Sequence, residues 1–103
     1  MPRFSHERPS LPKIESRRLA AVVTTVEISM YPFIETFREL VKEFISKLHD
    51  FSQLQVNAGP TSTILIGDYD DIMTCLTEMI RWSYERHGQS VFVTKILPGY
   101  APT

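Results

Sequence analysis

The order in which two hydrophobic periods follow one another constrains the fold of this chain more than any other feature. A period of two with β-branched residues is typical of strands, whereas apolar residues three and four positions apart are typical of amphipathic helices. The segments with these patterns are, in order, a strand at 22–31, a helix at 33–48, strands at 54–57 and 61–67, a helix at 68–88 and a strand at 91–96. The chain is therefore predicted to mix helices and strands in one α+β domain.

Two βαβ-type halves with right-handed crossovers account for this order of elements. We predict a ferredoxin-like α+β sandwich, in which a four-stranded antiparallel sheet of order 4-1-3-2 carries both helices on one face. Local signals agree with these boundaries. Pro32 lacks the amide donor that would continue the first strand. Asp68 and Asp71 approximate a capping box at the start of the second helix, and Gly88 suits the left-handed position after its end.

One face of the predicted sheet is left uncovered by the helices. Val26, Ile28 and Met30 alternate onto the covered face of the first strand. The residues that we expect on the uncovered face are Val23, Thr25, Glu27, Ser29 and Tyr31 of the first strand, Gln55 and Asn57 of the second, Thr63 and Leu65 of the third, and Val91, Val93 and Lys95 of the fourth. Because a partly apolar sheet face is commonly covered by a second copy of the chain, we predict a homodimer or tetramer through this face.

The composition is that of one ordinary globular domain. The chain has 103 residues, of which 43% are hydrophobic and 22% charged. Its one cysteine, Cys75, excludes an intramolecular disulfide and a thiol cluster for zinc, and it lies on the apolar stripe of the second helix. The sequence contains no apolar run of the ~20 residues that cross a bilayer, and no signal for secretion. We therefore expect a cytoplasmic protein without membrane contact.

The net charge of −1 conceals a division along the chain. Residues 1–19 carry five basic and two acidic residues, a net charge of +3, whereas residues 20–103 carry six basic and ten acidic residues, a net charge of −4. Dispersed basic residues, three prolines and no periodic apolar pattern predict that 1–19 is a flexible leader and that 20–103 is a single domain. We expect no nucleic-acid partner, because the basic residues are scattered and only one aromatic residue lies among them.

Glu27 is the residue of the sheet that most needs explaining, because a carboxylate in a central strand must be paired, hydrogen-bonded or exposed. It either pairs with Lys95 on the neighbouring fourth strand or orients a ligand. Asn57 and the hydroxyl run Thr61-Ser62-Thr63 lie at the turn between the second and third strands, where they serve either the turn or a binding site. The three histidines have no metal-ligand spacing, so we expect no metal site.

The chain also resembles a known family over about residues 22–99. The stretches that carry the resemblance are Val26–Pro32, Asn57 with Ser62–Gly67, Asp70–Met73 and Val91–Ile96. They are similar to the small thiamine-binding proteins and the related YkoF-like domains. The resemblance implies a ferredoxin-like fold, association through the sheets, and binding of thiamine or its hydroxymethylpyrimidine part without catalysis and without a cofactor. It further implies that the site is lined by Ser29, Tyr31, Asn57, Ser62 and Thr63, to which strand geometry adds Glu27.

Two other functions remain open from the sequence. Ferredoxin-like dimers also serve as cofactor-independent oxygenases or isomerases, which usually need an inward-pointing His, Asn or Tyr. The predicted interior contains no such histidine, although Asn57 keeps this alternative open. The other alternative is a structural or regulatory association module, which would form a stable oligomer without a ligand-sized cavity. We expect a binding protein rather than an enzyme.

Overall fold

Six regular elements make up the part of the chain that the computed structural model describes, residues 22–102. They are β1 (Val23–Pro32), α1 (Phe37–Leu48), β2 (Gln55–Ala58), β3 (Thr63–Asp68), α2 (Tyr69–His87) and β4 (Ser90–Pro98). The strands form one antiparallel sheet in the order β2-β3-β1-β4, which is the predicted order counted from the other edge. The predicted ferredoxin-like α+β fold is confirmed. The basic leader predicted over 1–19 lies outside the described residues.

The core lies between the sheet and the two helices. Val26 and Ile28 of β1 and Leu65 of β3 point toward the helices and are buried there. The helices meet them with buried side chains spaced three and four residues apart, which are Leu40, Phe44 and Leu48 of α1 and Ile72, Cys75, Leu76 and Met79 of α2. Cys75 is fully buried, as the apolar stripe predicted.

The ends of the helices differ in part from the prediction. Helix α1 begins at Phe37, four residues later than predicted, because the chain first bends and turns over residues 33–36 after Pro32 ends β1. Asp68 precedes α2 in extended geometry, as an N-cap residue does, but its side chain makes no capping hydrogen bond. Gly88 follows the last residue of α2 with the positive φ of 80° that the prediction requires, but its ψ of −148° lies outside the left-handed helical region, and its N–H donates to the carbonyl of Tyr84 at 2.9 Å.

The register of β3 corrects one prediction about the uncovered face, called the open face below. Leu65 is the partner of Val26 and Thr63 is the partner of Ile28, so both residues face the helices and are buried. The prediction that Thr63 and Leu65 lie on the open face is therefore wrong. Ile64 and Ile66, the partners of Glu27 and Thr25, lie there instead. Directly opposed residues share a face of the sheet. A shift of one residue in the pairing of β3 with β1 therefore changes which side chains of β3 reach the core.

The other strands present the predicted side chains on the open face. Lys95, Val93 and Val91 of β4 oppose Glu27, Ser29 and Tyr31 of β1, respectively. In β2, Gln55 and Asn57 are exposed and oppose Ile66 and Ile64. Thr25 is buried although it belongs to this face, and its hydroxyl donates to the carbonyl of Tyr100 at 2.5 Å. The open face thus combines aliphatic side chains with one pair of opposite charges.

Candidate functional site

A cavity of about 490 Å³ opens between the second half of β1, helix α1 and the turn that joins β2 to β3. This volume lies in the range of ~300–1,000 Å³ that is usual for small-molecule sites. Its lining residues are Ile28, Ser29, Met30, Tyr31 and Pro32 from β1, Phe37, Val41, Phe44 and Ile45 from α1, and Gly59, Pro60, Thr61, Ser62 and Thr63 from the turn and the start of β3.

Helix α1 supplies the apolar wall of the cavity. Phe37, Val41 and Ile45 are spaced four residues apart and form a row beside the core row of Leu40, Phe44 and Leu48. Residues on the core row are buried, whereas Phe37 remains 47% exposed at the start of the helix. The helix therefore has a wider apolar face than its packing on the sheet needs, and the surplus row faces the cavity.

The opposite side of the cavity includes two serines, whose hydroxyls are bonded to the protein. The Ser29 hydroxyl donates to the carbonyl oxygen of Thr61 at 3.1 Å, which links β1 to the turn before β3. The Ser62 hydroxyl donates to Oε2 of Glu27 at 3.3 Å. Both serines thus belong to the lining, and each hydroxyl is held in place by a protein acceptor.

The turn between β2 and β3 is tight enough to fix these groups. The N–H of Gly59 donates to the carbonyl of Ser62 at 2.8 Å and closes the turn. A Cβ at position 59 would lie 3.1 Å from the same carbonyl oxygen, a tight contact that the backbone of the turn would have to relieve by a small shift. Glycine is therefore favoured at this point, and the turn holds Thr61 and Ser62 against β1.

Glu27 joins the cavity wall to the open face. Its Oε1 lies 3.3 Å from Nζ of Lys95, so the predicted cross-strand ion pair is present. Its Oε2 accepts the hydrogen bond from Ser62. The carboxylate itself does not line the cavity, and it contacts the site only through the Ser62 hydroxyl. Since Lys95 and Glu27 are both well exposed, their attraction is screened by water and contributes little to stability.

The structure brings most of the predicted site residues together. Ser29, Tyr31, Ser62 and Thr63 line the cavity, and Glu27 adjoins it. Asn57 does not line it, because it lies in the edge strand β2, which β3 separates from β1. Sequence reasoning missed the side chains of α1, although their spacing of four residues was visible. Within residues 22–102, no three His, Cys, Asp or Glu side chains converge in a way that could hold a metal ion.

Fold and cavity together define a ferredoxin-like α+β domain with a small-molecule-sized cavity at one end of its sheet. In the range 22–102, none of the helices has the length and apolar character to cross a membrane. No protein-family model matches the chain, and no curated protein matches it. Similarity is found instead among solved structures.

The chain is 25% identical to a protein of Thermotoga maritima whose suggested role is thiamine biosynthesis or salvage, with a TM-score of 0.66 over 73% of this chain and 82% of that protein. A hypothetical protein from Methanocaldococcus jannascii is 24% identical, with a TM-score of 0.63 over 72% of this chain and 77% of its own. A domain of unknown function, DUF77, from Bacillus cereus is 18% identical, with a TM-score of 0.63 over 82% of both chains. The fold is common to all three.

Proposed function

We propose that this chain binds thiamine or a related hydroxymethylpyrimidine compound and serves in its transport, salvage or sequestration, without catalysing a reaction. The observation that carries the proposal is the composition of the cavity, which sets an apolar wall from α1 against hydroxyl-bearing residues of β1 and of the turn before β3. Small-molecule sites typically have this combination of apolar surface with a few fixed polar groups.

The chemistry of the ligand matches the two walls. An aminopyrimidine ring is flat and apolar on its faces, so it can pack against Phe37 and Val41. Its edge donates and accepts hydrogen bonds, which suits the hydroxyl-bearing residues of the turn, Thr61, Ser62 and Thr63. Thiamine adds a cationic thiazolium ring, for which Tyr31, 54% exposed at the rim of the cavity, offers an aromatic face.

Similarity to the Thermotoga maritima protein supports the same ligand class. That protein shares the fold over most of both chains, and its suggested role concerns thiamine biosynthesis or salvage. The cavity lining supports binding rather than catalysis, since its side chains are aliphatic, aromatic or hydroxyl-bearing. Proton transfer in enzymes is most often carried out by His, Glu or Asp.

We also propose that the chain forms a homodimer or tetramer through the open face. Val91 and Val93 of β4 are 45% and 58% exposed there, beside the exposed ring of Tyr31. Adjacent apolar side chains on a sheet favour association, because water is released when they are covered. The same face carries Glu27 and Lys95, which a second copy would shield from water.

A pair of phenylalanine variants tests the proposed ligand. Phe37 lines the cavity and Phe33 does not, and both side chains are largely exposed, so neither truncation should unfold the protein. In calorimetric titrations with thiamine and with hydroxymethylpyrimidine, we expect saturable heat from the wild type and from Phe33→Ala. Loss of the apolar contact in Phe37→Ala should weaken binding by roughly tenfold, which corresponds to about 1.4 kcal/mol.

Circular dichroism would first establish that each variant is folded. The absence of saturable heat from both compounds with folded wild-type protein would refute the proposal. Equal weakening by Phe33→Ala and Phe37→Ala would place the ligand outside the cavity, and would refute it equally.

A further inference from the structure

Helix α2 carries a second row of side chains beside the row that packs in the core. The four members follow one another at intervals of four, three and four residues, and they are Met73, Thr77, Ile80 and Tyr84. At about 100° per residue, this spacing places them on one flank of the helix, called the outer flank below. Ile80 and Tyr84 are exposed, and Met73 is only partly buried. The outer flank is therefore a partly apolar helix face that residues 22–102 leave open.

The outer flank faces away from the other helix. Nζ of Lys47 in α1 lies 5.6 Å from the centroid of the Trp82 ring, and Glu43 of α1 pairs with Arg86. Trp82 and Arg86 lie on the opposite side of the core row from the outer flank. Helix α1 leads to β2 at one edge of the sheet, whereas α2 leads to β4 at the other edge and contacts it. The outer flank is thus on the side of β4.

The helices also leave part of the sheet uncovered on this side. Ile96 of β4 is the partner of Val26, so it belongs to the face that carries the helices. Val26 is fully buried there, but Ile96 is 41% exposed. Thr94, on the same face of β4, is exposed as well. Apolar surface is therefore open both on the outer flank and on the strand at that edge.

Acidic residues border the outer flank. Between positions 68 and 80 there is no basic residue, and the acidic ones are Asp68, Asp70, Asp71 and Glu78. None of these four has an ion-pair partner within residues 22–102. Asp70 and Glu78 line a shallow groove along the helix with Met73 and Thr77, and the one basic residue of its lining is Arg81. An occupant of this groove should therefore combine apolar side chains with positive charge.

The basic residues 1–19, which lie outside the described residues, join the domain beside this groove. The carbonyl of Val22 accepts a hydrogen bond of 2.9 Å from the N–H of Tyr69, the first residue of α2. Ile14 is eight residues before Val22, so an extended chain spans up to about 26 Å between them. The 15 residues from Tyr69 to Tyr84 rise by about 22 Å. The leader is long enough to follow the whole outer flank.

We propose that residues 11–19 cover the outer flank of α2 in the same chain. Their apolar side chains, Leu11, Ile14 and Leu19, would release water from the apolar row. The neighbouring Arg17 and Arg18 supply the positive charge that the acidic border attracts. The proposal is independent of the ligand, because the cavity is lined by the opposite end of β1.

A nitroxide attached to the leader tests this position in the full chain. Cys75 is fully buried and its pKa is raised to about 12, so a thiol reagent should modify only the thiol introduced by Ser16→Cys. A nitroxide broadens the NMR signals of nearby amides. We expect the amides of Thr77 and Ile80 to be broadened several times more strongly than those of Asn57 and Ile64, which lie in the strands of the open face.

Two double charge reversals, made in the same nitroxide-bearing protein, separate the acidic border from the net charge. Asp70→Lys with Glu78→Lys and Glu35→Lys with Glu39→Lys change the net charge equally, and all four positions are exposed. Only the first pair places positive charge beside the outer flank. The excess broadening of Thr77 and Ile80 should disappear in the first pair and persist in the second. Circular dichroism checks that both variants fold.

The remaining outcomes overturn the proposal. Equal broadening of the outer flank and the open face would mean that the leader does not cover α2. Loss of the excess in both double variants would mean that the acidic border does not attract it. A mixture of nitroxide-bearing chains and isotope-labelled chains without nitroxide identifies the source of the leader. Broadening of the outer flank in that mixture would assign the flank to the leader of a second copy, which also overturns docking within one chain.

Discussion

Ser62 is the residue at which the cavity and the open face meet. It belongs to the cavity lining, and its hydroxyl donates to Glu27 on the open face. Coverage of Glu27 by a second copy would therefore change the surroundings of a residue of the cavity lining. Ser29 lacks such a connection, because its proton goes to a backbone carbonyl.

Cys75 shows how burial sets the chemistry of a single side chain. It is fully buried in α2, and this burial, with a smaller contribution from the nearby charge of Glu78, raises the pKa of the thiol from 9.0 to about 12. The thiolate is the reactive form of cysteine, so the folded protein should protect Cys75 from thiol reagents near neutral pH. A nucleophilic role for this residue is accordingly disfavoured.

The same shift predicts how stability depends on pH. Because the pKa of the folded thiol is higher than that of the unfolded one, the unfolded chain ionises first as the pH rises through 9.0. Wild-type protein should therefore lose stability relative to Cys75→Ala above that pH and not below it, by up to about 1.4 kcal/mol per pH unit. Urea denaturation at pH 8, 9.5 and 10.5 measures the difference. Parallel curves for the two proteins over this range would contradict the raised pKa.

Individual site residues were predictable where strand alternation fixed their face. Ser29 and Tyr31 follow Val26 and Ile28 in a clean alternation, and both line the cavity. Asn57 lies on the open face as predicted but outside the cavity, because the turn after it carries the chain toward β1 while β2 stays at the sheet edge. Alternation gives the face of a residue, whereas its distance from a site depends on tertiary packing.

At the scale of elements, the sequence of β3 explains why Thr63 and Leu65 were assigned to the wrong face of the sheet. Its residues Thr63, Ile64, Leu65 and Ile66 are all compatible with a buried strand, so the sequence has no polar face to set the phase. Pairing with β1 determines which residues of β3 face the helices, because it places Leu65 beside Val26 in the core. Near the last residue of β3, packing also restricts the side chain at position 67. A Cβ on Gly67 would lie 2.5 Å from Cδ2 of the buried Leu54.

Helix α1 shows why the apolar wall of the cavity was missed. Its cavity row and its core row have the same helical period, and together they look like one broad buried stripe. The two rows can be told apart only from the position of the helix over the end of β1. The width of the stripe was the available signal, since a helix packed on one side of a sheet seldom needs both rows buried.

The end of helix α2 depends on Gly88, and this dependence can be measured. Gly88 has φ of 80° and ψ of −148°, a combination that is essentially restricted to glycine. Gly88→Ala should therefore lower the free energy of unfolding by about 1–3 kcal/mol, even though no atom would crowd the added Cβ. Urea denaturation gives this difference.

The neighbouring substitution Gln89→Ala serves as the control for the Gly88 measurement. Gln89 is exposed, and it has no positive φ to strain, so its replacement should change the free energy of unfolding by less than about 0.5 kcal/mol. If the two variants are equally stable, the backbone conformation at the end of α2 is not what Gly88 supplies.

At the scale of the whole molecule, the sheet has two unlike faces with separate tasks. Its covered face forms the core with the helices, and its open face combines aliphatic residues with the pair of Glu27 and Lys95. Under the proposed association, a second copy on the open face would exclude water from that pair. Lower dielectric strengthens the hydrogen bond that Glu27 accepts from Ser62.

A charge placed in the middle of the open face tests that association. Val93 is 58% exposed and lies opposite Ser29, so Val93→Glu would put a carboxylate into the interface of a dimer without burying it in the single chain. In sedimentation at micromolar concentration, the wild type should have a mass of two or four chains. Val93→Glu should have the mass of one chain, because two carboxylates would meet across the interface without partners.

Thr77→Glu adds the same charge on the exposed surface of α2, and it should leave the oligomer intact. A wild-type mass equal to one chain would contradict the association. If Val93→Glu still forms a stable oligomer, the interface lies on another surface of the protein. The pair of Glu27 and Lys95 then stays in water, and Glu27 acts on Ser62 as it does in the single chain.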